Sequence, residues 1–189
     1  MTSRRGLRSA ARPEADLVDQ ATAGDRDAFV AVLRAYDDRL RALAYKLLGG
    51  DRDRMDDALQ EAYARAFRAL PGFRREADVG TWLYRITYNA CIDELRRGRS
   101  RPRPVDTREA GWDRPAPGSG PEGAVAAADA AVRALAALPP EQRVTVVLVD
   151  GEGFDQEAAA RVLGVPRGTV ASRLSRARAE IRRSLGEDR

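Results

Sequence analysis

Phe154-Asp155-Gln156-Glu157-Ala158-Ala159-Ala160-Arg161-Val162-Leu163-Gly164-Val165-Pro166-Arg167-Gly168-Thr169-Val170-Ala171-Ser172-Arg173-Leu174-Ser175-Arg176-Ala177-Arg178 is the stretch whose reading decides the fold. It predicts a short helix, a tight turn at Gly164 and a second helix loaded with arginine. Two helices joined this way form a helix-turn-helix, whose second helix is built to enter the major groove of DNA. Val170, Leu174, Ala177 and Ile181 recur at helical spacing and are expected to face the core. Thr169, Ser172, Arg173 and Arg176 repeat at i, i+3, i+4 and i+7 and so share another face. Groups rich in donors on one exposed face suit guanine edges and phosphates. From Arg161 to Arg183 there are seven arginines against one acid, Glu180. DNA binding follows.

Working outward, 189 residues suffice for one ordinary domain or two small ones. Two small domains would have thin cores and would gain from a large partner. Aromatic residues are only 6% and charged residues 33%, so Leu, Val and Ala must fill the interior, a composition that favours helices. The net charge of +4 hides a sorting along the chain. Residues 14–61 hold twelve acids against seven bases, whereas the segments after Glu94 and Arg161 are basic. An acidic front with basic patches behind points to two different partners, one of them a polyanion. Cys91 is the only cysteine and histidine is absent, so neither an intramolecular disulfide nor a zinc knuckle can form within the chain. No cofactor or metal is expected. No apolar run approaches a membrane span or a signal-peptide core, so membrane insertion is not expected and the cytoplasm is the expected location.

The pattern divides the chain into four parts. Residues 1–13 form a basic, disordered tail. From Asp16 onward the chain reads as helical. A first stripe (Phe29, Val32, Leu33, Tyr36, Leu40, Leu43, Leu47) stops at Gly49-Gly50. A second (Leu59, Ala62, Tyr63, Ala66, Phe67, Leu70), capped by Asp51 or Asp53, stops at Pro71-Gly72. Thr81 to Arg97 reads as a third long helix. Residues 98–124 hold five prolines and five glycines with little to bury except Trp112, and read as a linker. Helix resumes from residue 125, with Val125, Val132, Leu135 and Leu138 inward, and Pro139-Pro140-Glu141 opens another. The run Val144 to Val149 has strand propensity, but the proline–acid start and its helical neighbours favour helix. The fold class is therefore all-α, with two small helical domains, 14–97 and 125–186, on a flexible linker.

Three clusters carry candidate chemistry. Asp51, Asp53, Asp56, Asp57 and Glu61 could suggest a magnesium site, but catalytic metal pairs need carboxylates converging from several elements. Asp57, Gln60, Glu61 and Arg65 lie opposite the apolar stripe, where a solvated or protein-docking face belongs. Along the third helix, Trp82, Arg85, Asn89, Asp93 and Arg96 fall at about one-turn spacing, followed by Arg97, Arg99, Arg101 and Arg103. The loop 73–78 (Phe73, Arg74, Arg75, Glu76, Ala77, Asp78) precedes them. Aromatics interleaved with arginine and amide groups suit unpaired bases; an ordinary basic surface helix, with Trp82 partly in the core, is the alternative.

At these residues the chain resembles a family. Asp57-Ala58-Leu59-Gln60-Glu61, Phe73-Arg74 and Thr81-Trp82-Leu83-Tyr84-Arg85-Ile86, with Asn89, Asp93 and Arg96-Arg97, resemble the second conserved domain of sigma-70 initiation factors. Leu138-Pro139-Pro140-Glu141-Gln142-Arg143 and Leu163-Gly164-Val165-Pro166-Arg167-Gly168-Thr169-Val170 resemble its fourth. Lacking the first and third domains, the layout is similar to that of the extracytoplasmic-function (group four) sigma factors. The resemblance implies that Asp57, Gln60 and Glu61 dock the clamp helices of the polymerase β′ subunit, the β flap being the other contact on core RNA polymerase. It implies that Phe73, Arg74, Trp82, Asn89, Asp93, Arg96 and Arg97 take the non-template strand of the −10 element of promoter DNA, with one base flipped into a pocket. Arg167, Thr169, Ser172, Arg173, Ser175 and Arg176 would read the −35 element. Such factors often have an anti-sigma protein as a partner. There are three departures from the family pattern: Ala171 replaces a common basic residue, Val79-Gly80 replace basic and aromatic ones, and Ala159 replaces isoleucine.

The expected role is thus a non-catalytic specificity subunit, since no nucleophile–base pair is evident and the commonest general base is absent. A flexible chain of the 27 linker residues relaxes to roughly 30 Å and extends to about 90 Å. Elements about 20 base pairs apart lie near 70 Å, so weak promoter binding is expected until polymerase holds the domains apart. The alternative is a stand-alone helix-turn-helix regulator, which would bind duplex DNA as a symmetric dimer.

Overall fold

The computed structural model describes residues 15–74, 77–100 and 130–185, in which every regular element is helical. The tail 1–13, Arg75, Glu76, Arg101, Arg103, Trp112, Val125 and most of the expected linker lie outside the described residues. The order is α1 (Ala15–Thr22), α2 (Arg26–Leu47), α3 (Arg52–Ala69) with a 3-10 turn at Leu70–Gly72, and α4 (Val79–Ser100). After these come α5 (130–137), α6 (Pro140–Val146) running into a wide π-turn at Val147–Gly151, α7 (Gln156–Leu163) and α8 (Arg167–Leu185).

Local chemistry sets the boundaries. Asp25 starts α2 by accepting from the backbone N–H groups of Asp27 and Ala28, and Asp51 starts α3 by accepting from Arg54. Gly49 and Gly50 turn the chain out of α2 with φ of +72° and +85°. The third helix runs longer at both ends than the apolar pattern predicts. Asp78 caps it early, accepting from the Thr81 N–H and hydroxyl at 2.8 Å each. At its far end Arg54 lies against Gly98 and donates to the Glu94 side chain and carbonyl, carrying the helix on to Ser100.

The α2 stripe is buried as expected, with Leu33 half-buried. In α3, Leu59, Ala62, Ala66 and Leu70 are buried and Tyr63 half-buried, but Phe67 is 44% exposed. Its ring sits at the rim of the core, 5.4 Å from Phe29, with the Arg26 guanidinium 5.9 Å above it. Val144 to Leu148 is helix and π-turn, and all five residues are buried. A segment enclosed on every side has no polar face and so gives no helical periodicity, which leaves its β-branched residues to favour strand by propensity.

The two domains pack against each other. One cluster of buried side chains runs from Leu40, Leu43 and Leu47 of α2 through Tyr84 of α4 to Val144, Leu148, Phe154 and Val162. Polar groups fasten the same junction. Glu152, swung inward by the π-turn, accepts from Tyr84 Oη at 2.8 Å and pairs with Lys46 Nζ at 3.4 Å. Tyr84 meets Phe154 edge-on at 4.8 Å. Arg143 is buried and donates to the carbonyls of Leu47, Ala136 and Leu138, closing the ends of α2 and α5 together. A smaller cluster of Leu138, Val146, Leu174 and Ala177 seats α8 on α6.

Candidate nucleic-acid interface

Three polar faces emerge from this scaffold. The first lies on α3. Burying Ala58, Leu59, Ala62 and Ala66 turns Asp57 and Gln60 outward and leaves Glu61 half-exposed. Glu61 Oε1 accepts from Arg65 Nε at 2.7 Å and lies 3.6 Å from Arg68. The hydrogen bond from Arg65 is the main reason that its carboxyl sits below the usual glutamate range. The rest of the acidic run is dispersed: Asp51 caps α3 and Asp56 pairs with Arg41 at 3.0 Å. Among the described residues no group of three or more His, Cys, Asp and Glu side chains is placed to hold a metal.

The second face joins the end of the 3-10 turn to α4. Phe73 and Trp82 come together with ring centroids 5.0 Å apart, both half-buried against the core. This pair props the loop on α4, and Arg74 beside it is exposed. Burial of Leu83, Tyr84, Ala90 and Cys91 turns Arg85, Asn89 and Arg96 to the surface, with Asp93 half-exposed between them. Asp93 is bound by Arg65 Nη1 at 2.8 Å, with Arg96 Nη1 at 3.9 Å. Arg97 pairs with Glu94 at 3.3 Å, and its charge also reaches Glu61. Glu94 is largely buried and shared with Arg54 of α3, while the Arg97 side chain stays exposed.

The third face is α8. Gly164, at φ +66°, ends α7 in the left-handed conformation, and Pro166 precedes the first turn of α8. Val170, Leu174 and Ala177 are buried and Ile181 half-buried, which rotates Arg167, Ser172, Ser175 and Arg176 into solvent. Thr169 and Arg173 are half-buried, and the Ser172 hydroxyl donates to the Thr169 carbonyl at 3.0 Å. Arg173 stands near α4: burial raises the Tyr88 phenol above its ordinary pKa, and the charge of Arg173 opposes that rise. Arg178 is exposed and paired with an acid. It grips Asp150 of the π-turn with two N–H groups, at 2.6 and 3.1 Å. Ala159 is wholly buried between α7 and its neighbours.

The residues that connect these faces carry no such role in the sequence pattern. Arg65 falls on the α3 polar face by its spacing, but that Arg65, Arg143, Lys46 and Glu152 bond across elements far apart in the chain is marked by no periodicity. Lys46 alone had a signal, as the single lysine in the sequence.

Comparison with known proteins finds two family regions, in order along the chain. Residues 32–101 match the family described as Sigma-70 region 2, and residues 128–181 match Sigma-70, region 4. The chain is 43% identical over 176 residues to the ECF RNA polymerase sigma factor SigM of Mycobacterium tuberculosis, covering 93% of this chain and 86% of that one. Among solved structures it is similar to CnrH in complex with the cytosolic domain of CnrY. That likeness has a TM-score of 0.69 and 26% identity, and covers 94% of this chain and 99% of the other. It is also similar to the sigma factor RpoE of Bartonella quintana, solved with the anti-sigma factor NepR. Here the TM-score is 0.64 and the identity 28%, with 85% and 98% covered.

Proposed function

The chain belongs to the extracytoplasmic-function sigma factors of RNA polymerase, and from that premise we propose how its three faces divide the work of promoter recognition. It is an alternative sigma factor that binds core polymerase and promoter DNA. Asp57, Gln60 and Glu61 dock the β′ clamp helices, and the α8 domain engages the β flap. Phe73, Arg74 and Trp82, with Asn89, Asp93, Arg96 and Arg97, hold the unpaired −10 strand. Arg167, Thr169, Ser172, Arg173, Ser175 and Arg176 read the −35 duplex. The chain works in the cytoplasm, without catalysis of its own. The observation that carries this reading is the occurrence of both family regions, in order, in one chain with each polar face exposed. A stand-alone helix-turn-helix regulator is not favoured, since it leaves the whole region 2 match without a task.

Strand opening in this scheme comes from binding single strands in preference to duplex. Each base-pair step opened forfeits about 1.4 kcal/mol of stacking, and each base stacked on an aromatic returns about 1–3 kcal/mol. A few captured bases balance local melting, and polymerase supplies the rest. Phe73 and Trp82 already pack on each other, so base capture there requires the pair to part or to offer its outer faces. The closed junction around Glu152 and Arg143 must also open for α4 and α8 to reach elements near 70 Å apart, at ~3.4 Å per base pair. Both solved neighbours are complexes, one of them named as a complex with an anti-sigma factor. A protein that stabilises the closed form is the corresponding partner here.

The test is transcription from fragmented genomic DNA by sigma-free bacterial core polymerase, with and without the purified chain, followed by mapping of transcript 5′ ends. Starts clustered behind a shared pair of motifs are expected. No gain over core alone with folded protein would sink the proposal.

A further inference from the structure

Glu61 and Asp93 belong to different faces and different helices, yet one side chain holds both. Arg65 gives its Nε–H to Glu61 at 2.7 Å and an Nη1–H to Asp93 at 2.8 Å. The three side chains are each between 35% and 40% exposed, so the bridge lies at the surface seam of α3 and α4. Further cations flank it, Arg68 at 3.6 Å from Glu61 and Arg96 at 3.9 Å from Asp93. The arrangement has a consequence for charge. Asp93 is an acid on the side assigned to a polyanion, where an unneutralised carboxylate repels phosphates. Glu61 is an acid on the side assigned to protein docking.

From this bridge, and resting on the assignment of the two faces above, we infer that Arg65 is a positioning residue that couples polymerase docking at Glu61 to strand binding beside Asp93. A basic group of the docking partner that takes Glu61 weakens its hold on Arg65. The guanidinium is then left to Asp93, whose charge is more fully neutralised where the strand passes. Linkage makes the effect reciprocal: a strand that draws on the Asp93 side frees Glu61 for docking to the same degree. A planar fork with separate N–H groups makes such a bridge. A lysine ammonium is a single point charge and does not span the two carboxylates in the same way.

The experiment measures two affinities for the full chain. One is for core polymerase. The other is for a fluorescent single-stranded oligonucleotide carrying the mapped −10 sequence, with and without saturating core. The ratio of the two oligonucleotide affinities is the coupling factor. Arg65→Lys is expected to keep the native thermal midpoint and to lower that factor at least about fivefold, the lower end of typical couplings. Arg65→Ala should weaken oligonucleotide binding by the holoenzyme at least about fivefold in the native background, and much less in an Asp93→Asn background. That pattern assigns the loss to the uncovered carboxylate. An unchanged coupling factor in Arg65→Lys would overturn the inference and leave the sigma-factor reading intact. Equal losses from Arg65→Ala in the native and the Asp93→Asn backgrounds would also overturn it, by making Arg65 a fold element only. Failure of the native chain to bind core at all would remove the docking assignment, and this inference with it.

Discussion

A β-carbon on Gly80 would stand 2.8 Å from Cε1 of Tyr36 and 3.1 Å from Oδ1 of Asp78, the residue that caps α4. The departure from the family pattern at this position is therefore a packing solution, in which the Tyr36 ring occupies the space of a side chain. Gly80→Ala gains up to about 1 kcal/mol of helix propensity but overpacks at about 1–3 kcal/mol. A net loss in urea denaturation is expected. In a Tyr36→Ala background the same change should become neutral or stabilising, and persistence of the full loss there would refute the packing account. Asp37 gives a prediction in pH. Burial opposes its ionisation, but hydrogen bonds from Tyr63 and Arg41 outweigh burial and hold its pKa below the ordinary 3.8. A depressed carboxylate stabilises the fold above its unfolded pKa and loses that contribution as pH falls through the folded one. The stability advantage over Asp37→Asn should be complete at neutral pH and shrink below about pH 4, as read from thermal midpoints across an acid series. At α8, Arg176→Ala should cost about 1–3 kcal/mol at one −35 position. An equal loss on every duplex would make Arg176 a phosphate contact instead.

At the scale of the element, the helix-turn-helix depends on its caps. Asp155 accepts from the N–H groups of Glu157 at 3.0 Å and Ala158 at 2.7 Å, and Gly164 closes the other end of α7 in the left-handed region. Eight residues make a poor isolated helix, so these ends matter more than its propensity. Asp155→Ala should cost about 1 kcal/mol, and Asp155→Asn or Asp155→Ser should recover most of it. Failure of these substitutes to recover stability would point to the aspartate charge and not the cap. Most of this element was legible from residue types alone: a capping acid, a 3.6-residue apolar period and a glycine stop. The run Val144 to Val149 was harder, because its residue types favour strand and only its neighbours argued for helix. The outward turn of Phe67 was not legible. Its spacing fits the α3 stripe, and only the packing shows that the ring stands at the rim of the core beside Phe29, between buried Ala66 and Leu70.

Across the whole molecule, the junction between the halves is the feature with the largest mechanical consequence. Glu152 is nearly enclosed and holds Lys46 and the Tyr84 hydroxyl, which burial, and then the Glu152 charge, keep protonated well above the usual range. Glu152→Ala leaves both groups without this acceptor, at about 1–3 kcal/mol. The expected result is a lower thermal midpoint and a larger radius of gyration by solution scattering, together with faster assembly on core polymerase. A lower midpoint with unchanged dimensions would mean that the apolar contacts hold the closed form alone, chiefly Tyr84 against Phe154 and the buried cluster around Leu47 and Val144. Linker composition marks where two domains meet in the chain, but composition says nothing about whether their apolar surfaces match.

What the sequence determined by itself was everything that depends on neighbours within about one helical turn. The helices and their stops, the inward stripes, the outward arginines of α8 and the residues that carry the family resemblance all belong here. Tertiary structure decided which charges are spoken for. Arg178 is drawn to Asp150, Arg65 to Asp93 and Arg143 to the ends of two helices. The physical reason is reach. An arginine side chain spans the gap between packed helices, so its partner is chosen by which helix lies beside it, and that neighbour can be 96 residues away, as Leu47 is from Arg143.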